Sequence, residues 1–217
     1  MEDDREKIFG SIRRGLRQAE QTDAARESRS PLKEPLSADF QIRFKKFNSE
    51  LVKLGGEAYV LDGFKGISDF LLRHITDDAG VFIYDEVSDK YNSALSGLRS
   101  SRTYKLSTDF ENGYDKRDVA QFGSAILPCA ACIAETGTIV LRNNMRLPAA
   151  LATRLFVITE PARLMASLDE LFTDKFRDAG GSNLFLITGP SRTADIEKEL
   201  VTGVHGPKEV YVIFHKE

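Results

Sequence analysis

The sequence predicts an α/β fold, a mostly parallel sheet with flanking helices behind an N-terminal helical extension. Short apolar runs alternate with longer stretches whose apolar residues recur every three to four positions, the pattern of strand–helix crossover units. Glycine and proline pairs punctuate the alternation at Gly55-Gly56, Gly180-Gly181 and Gly189-Pro190. The chain has 217 residues, 41% hydrophobic and 29% charged, enough for one domain with its own core plus an extension.

Residues 3–25 read as a helix, because Ile8, Ile12 and Leu16 repeat at every fourth position and Phe9 widens the stripe. Arg13, Arg14 and Arg17 flank it, but acids at the start balance them, which favours docking on protein over a membrane surface. Pro31, Pro35 and several serines make residues 26–37 a linker, so the extension covers 1–37 and the α/β domain 38–217. Residues 39–54 are helical, with Phe40, Phe44, Phe47, Leu51 and Leu54 on one side and Gly55-Gly56 as the stop. A strand over 58–61 and a helix over 64–75 follow. Residues 81–84 are apolar throughout, as in strands buried on both faces. Next come a helix over 89–99, a strand over 103–106 and a short helix over 116–122. Residues 132–141 set two apolar runs around Glu135-Thr136-Gly137-Thr138, which predicts a strand, a tight turn and an antiparallel return. Strands over 155–159, 184–188 and 210–215 then alternate with helices over 162–176 and 193–201.

The formal net charge of −3 supplies no broad basic surface, which argues against nucleic acid. No apolar run approaches the roughly 20 residues of a membrane helix. Met1 to Lys7 is acidic and charged, unlike a secretory signal. Two cysteines fit a reducing, cytoplasmic setting and fall short of the about four thiolates an iron–sulfur cluster takes. No cofactor or metal bound by this chain is therefore expected.

Three stretches carry candidate chemistry. The run ending at Thr188 enters Gly189-Pro190-Ser191-Arg192-Thr193, a loop at the end of a predicted strand, where α/β sheets bind ligands. Ser191 or Thr193 would cap the following helix, and its free N–H groups with Arg192 would hold a carboxylate or phosphate. Asp195 in the first turn complements the helix dipole but opposes a second negative charge. The Gly-Lys-Ser/Thr ending of a P-loop is missing. Gly203-Val204-His205-Gly206-Pro207 constrains one histidine, a candidate acid/base or anion ligand, or else a ring filling a turn. Glu135 stands amid apolar residues, so it either faces a cleft at a strand end or pairs with a cation. Thr136 and Thr138 add hydroxyls, and Gly137 allows positive φ or a close approach. A desolvated Glu135 would serve as base or nucleophile; otherwise it is the outward acid of a turn. Cys129-Ala130-Ala131-Cys132 has C-x-x-C spacing; a redox pair or half a zinc site competes with the simpler reading of small residues entering a buried turn. His74 reads as structural, and Glu111-Asn112-Gly113 as a turn.

The segments Ala134-Glu135-Thr136-Gly137-Thr138, Thr188 through Glu197, and Gly203 through Pro207 together resemble the motifs of the LUD domain family, best in its single-domain, lactate-utilisation form. Glu6 through Leu16 resembles the first helix of that form, so the resemblance spans nearly the whole chain, with residues 57–120 carrying little of it. It implies a fold related to ribose-phosphate isomerase, glucosamine-phosphate deaminase and class I CoA transferases (the NagB/RpiA/CoA transferase-like fold). It implies a cluster-free component working with two iron–sulfur partner proteins that oxidise L-lactate to pyruvate. Cys129 and Cys132 depart from the family pattern, where small or hydroxyl residues are usual. The superfold hosts several chemistries, so two alternatives stand. One is a CoA-transferase-like or isomerase-like enzyme using Glu135. The other is a non-catalytic interaction module docking through the Ile8–Leu16 stripe.

Overall fold

The computed structural model describes residues 36–75, 80–101, 103–110, 113–171, 183–193, 201–202 and 206–216. The expected helix over 3–25 and most of the linker lie outside them. With strands numbered in chain order, the central sheet holds β1 (Glu57–Asp62), β2 (Gly80–Ile83), β3 (Tyr104–Leu106), β4 (Phe122–Pro128), β7 (Arg154–Thr159) and β12 (Glu209–Lys216). They lie in the order β1-β12-β7-β4-β2-β3, and every adjacent pair is parallel.

Strand side chains alternate between faces, and here both faces are apolar. Phe156, Ile158, Tyr211 and Ile213 enter one core. There they meet Ile67 and Leu71 of α2 (Gly63–His74), Val87 of α3 (Asp85–Lys90), and Leu95 and Leu98 of α4 (Asn92–Ser101). Leu155, Val157, Val210, Val212 and Phe214 enter the other, with Phe47 and Leu51 of α1 (Phe40–Lys53). The Asp39 carboxylate starts α1 by accepting from Gln41 N at 2.7 Å and Ile42 N at 3.2 Å, two donors that the first turn leaves free. Phe40, Phe44 and Phe47 all pack on Phe214, with ring centroids 5.7, 5.6 and 5.7 Å away.

A second sheet shares the α1 side. It is formed by β5 (Ala131–Ile133), β6 (Thr138–Arg142), β8 (Leu164–Met165) and β9 (Leu184–Ile187), ordered β8-β5-β6-β9. β6 is antiparallel to both β5 and β9. Cys132 of β5 and Ile139 and Leu141 of β6 join the α1 core. Ala131, Ile133 and Val140 face away and cluster with Leu171 of α7 (Leu168–Leu171).

Several expectations need correction. Within 116–122 only α5 (Lys116–Val119) is helical, and Phe122 opens β4. Gly123, Ser124 and Pro128 interrupt the apolar pattern of that central strand. The helix over 89–99 is split at Tyr91 between α3 and α4. The helix over 162–176 yields to a 3-10 turn (Pro161–Arg163), β8 and α7, with residues 172–176 outside the described set. Leu164 pairs its backbone with Cys132, a tertiary contact that overrides local periodicity. Thr193 and Val201, the ends of another expected helix, instead pair in an antiparallel ladder of β10 (Arg192–Thr193) with β11 (Val201–Thr202). Residues 194–200 lie outside the described set.

The chain leaves β2 for β3 at one edge and returns to β4 on the other side of β2. Such a reversal leaves a crevice at the carboxyl ends of the two strands, the place where open parallel sheets bind ligands.

Candidate functional site

Described residues of the three motif segments touch one another. Thr136 Oγ1 lies 2.7 Å from Thr138 Oγ1, which lies 2.9 Å from Thr188 Oγ1, so a chain of hydroxyls ties the β5–β6 turn to the end of β9. Ser191 N donates to Pro207 O at 2.8 Å. A Cβ on Gly206 would lie 2.8 Å from Ser191 Cβ. Two of the glycines admit helix α1. Gly137 has φ +66°, and a Cβ there would come within 2.6 Å of Leu51 N. Gly189 has φ +87°, and its Cβ would meet Leu54 Cβ at 2.7 Å. Both are buried, with Pro190 and Ser191 half-buried beside them. The close approach allowed at these positions is thus to the carboxyl end of α1.

That cluster lies at the amino edge of the central sheet. α1 ends just ahead of β1, and Lys208 N bonds Thr153 O at 2.8 Å, immediately before β12 and β7. The end of β9 is not at the carboxyl edge of the parallel sheet, because β9 belongs to the second sheet and runs antiparallel to β6. Glu135 is exposed in its turn and makes no ion pair among the described residues, so its apolar neighbours point inward while the turn carries it out. For Arg192 and Thr193 only the backbone ladder is described, and Asp195 and His205 lie outside the described residues.

The carboxyl edge gathers a different set. A cavity of about 780 Å³ is lined by Tyr84, Asp85, Ser107, Tyr114, Asn144 and Arg146, among others. Ser107 Oγ donates to the Asp85 carboxylate at 2.5 Å and accepts from Asp85 N at 2.9 Å. The Asn144 amide donates to the Tyr84 hydroxyl, and Asn144 O accepts from the Tyr114 hydroxyl. Burial, then the nearby Tyr84 and Asp85, pushes the Tyr114 phenol up to about 12; burial also raises Tyr84. Both therefore remain protonated near neutral pH. Arg146, at the start of α6 (Arg146–Leu151), is exposed and makes no ion pair among the described residues. A guanidinium beside hydroxyl and amide groups is a donor set suited to a carboxylate.

A smaller cavity, about 60 Å³, lies between the carboxyl ends of β4 and β7 and is lined by Cys129, Thr159, Glu86, Lys90, Glu160 and Arg163 among others. The sequence reading missed the residues of the larger cavity. They come from three separate connections, after β2, β3 and β6, and the nearest local signal is Tyr84, a polar-tipped ring closing an apolar run.

The sequence profile of the LUD domain matches residues 45–215. The chain belongs to the LUD domain family. Three relatives are similar to parts of this chain. Lactate utilization protein C of Exiguobacterium sp. (strain ATCC BAA-1283 / AT1b) is 44% identical over 59 residues, 27% of this chain and 24% of that protein. Lactate utilization protein C of Anoxybacillus flavithermus is 35% identical over 85 residues, 37% of this chain and 39% of that protein. An uncharacterized protein of Neisseria meningitidis serogroup B is 28% identical over 159 residues, 69% of this chain and 61% of that protein. Each match spans less than two thirds of the relative. The fold is shared with a crystal structure of a DUF162 family protein from Deinococcus radiodurans, with a TM-score of 0.63 and 13% identity, covering 83% of this chain and 100% of that one. Among the described residues no helix is long and apolar enough to cross a membrane.

Proposed function

We propose that this LUD-domain protein serves lactate utilisation as a component without a cluster of its own, acting with iron–sulfur partner proteins that oxidise L-lactate to pyruvate. Its larger carboxyl-edge cavity binds the small acid. Family membership and relatives named lactate utilization protein C support the role. The observation that carries the binding site is Arg146, without an ion pair among the described residues, beside the Tyr84–Asn144–Tyr114 network at the strand-order reversal. The guanidinium takes the carboxylate through paired N–H···O bonds. Tyr84 accepts from Asn144 and so keeps its own O–H to donate to a 2-hydroxy or 2-oxo group.

Calorimetric titration of pyruvate and L-lactate tests the site. Losing one charge-assisted partner costs about 1.5–3 kcal/mol, so Arg146→Gln weakens binding roughly 10- to 100-fold. Equal isotherms for the two proteins, or no heat from either acid, overturn the site. Growth on L-lactate tests the role separately: deletion of the gene abolishes it, and unimpaired growth overturns the role.

A further inference from the structure

Cys129 and Cys132 flank the corner where the chain leaves the central sheet for the second one. Cys129 directly follows β4, is half-buried, and lines the smaller cavity. Cys132 lies within β5, fully buried, its backbone held by Ile139 of β6 and Leu164 of β8. Their Sγ atoms stand 3.7 Å apart as free thiols. A disulfide needs about 2.05 Å, so oxidation must draw the two sulfurs together from van der Waals contact.

The surroundings distinguish the two sulfurs. Cys129 Sγ lies 3.2 Å from Thr159 Oγ1. Of the charged groups around the cavity, Lys90 is ion-paired with Glu160, and Glu86 with Arg142 at 3.3 Å. Arg163 also lines it and donates to Ala130 O, inside the corner, at 3.4 Å. The hydrogen bond with Cys132 first, then Thr159 and the Arg163 charge, hold the Cys129 thiol below its ordinary range, while burial pushes Cys132 up. This is the asymmetry of an attacking and a resolving thiol. Among the described residues no third metal-ligating side chain converges on the pair.

We propose that Cys129 and Cys132 form a redox-active dithiol, oxidised reversibly to an intramolecular disulfide by small-molecule disulfides that reach Cys129 through this cavity. The inference is independent of the lactate reading. The Cys129 thiolate attacks one sulfur of the disulfide RSSR, forming Cys129–S–S–R and releasing RS⁻. Cys132, giving up its proton, then attacks Cys129 Sγ and displaces the second RS⁻. The two thiol protons end on two RSH, so the chain loses two electrons and RSSR gains them.

The test uses the full chain, reduced, freed of reductant and exposed to oxidised glutathione, with free-thiol counts and intact mass as readouts. Both thiols disappear, the mass falls by two hydrogens, and dithiothreitol restores them. In Cys132→Ala, Cys129 retains one glutathione; in Cys129→Ala, the buried Cys132 acquires none. In the reduced wild type Cys129 is alkylated first, with a half-rate pH below the roughly 8.5 of a free cysteine, and Arg163→Gln moves that pH upward. Persistence of both thiols, a stable glutathione adduct on the wild-type chain, or a disulfide between two copies would each overturn the proposal.

Discussion

Gly137→Ala separates a packing role for the β5–β6 turn from a ligand role. A left-handed backbone costs an ordinary residue about 1–2 kcal/mol. The new methyl would also lie 2.6 Å from Leu51 N and 3.0 Å from Glu50 C, backbone atoms of α1 that yield only if the helix moves. Overpacking of that kind costs about 1–3 kcal/mol more. The sum, about 2–5 kcal/mol, lowers Tm by roughly 4–20 °C for a chain of this length. Gly63→Ala is the internal control: its φ is +62°, but a Cβ there meets nothing within 4 Å. It loses only the backbone component, about 1–2 kcal/mol. Thermal and urea melts of both variants followed by circular dichroism measure the difference. Equal losses would refute the close approach of α1, and a Gly137→Ala protein of full stability that no longer binds small acids would return the turn to a ligand role.

Two further perturbations probe the same layer. Hydrogen bonds from Lys46 at 2.6 Å and Lys53 at 2.9 Å hold the Glu50 carboxyl down at about 2, against 4.5 for the free group. A depressed carboxyl stabilises the fold above its unfolded pKa and loses that contribution as pH falls through the folded one. Glu50→Gln therefore flattens the fall in stability between about pH 4.5 and 2, read from urea midpoints across that range; an unchanged acid limb contradicts the assignment. Phe214→Ala removes the buried ring on which three α1 phenylalanines pack. It costs about 3–5 kcal/mol, and hydrogen exchange in α1 accelerates; a loss below 1 kcal/mol would mean that α1 docks without that contact.

Much of the architecture was legible locally. The phenylalanine stripe of α1, the apolar runs of β2, β7 and β12, and the turn at Gly137 all appear where periodicity and glycine placement put them. β4 was hidden because its glycine, serine and proline break the apolar run, although its sheet neighbours bury it. Among the described motif residues, a hydroxyl contact joins Thr138 to Thr188 and a backbone bond joins Ser191 to Pro207. Their position at the amino edge was not legible, because no local signal tells β9 which strand to join.

The sequence by itself determined the α/β class, the family, and the apolar stripe of α1 and the apolar runs of β2, β7 and β12, because side-chain periodicity follows directly from helix and strand geometry. The tertiary structure decided the strand order, the departure of β9 into a second sheet, and the cavities at the carboxyl edge. Tyr84, the Ser107–Tyr114 connection and Arg146 are far apart in the chain and meet only when β2, β3 and β6 are placed by their sheets. Strand pairing likewise sets Cys129 in the lining of a cavity and Cys132 in the core. Pairing partners are chosen by long-range packing of whole faces, a quantity that no window of local sequence contains.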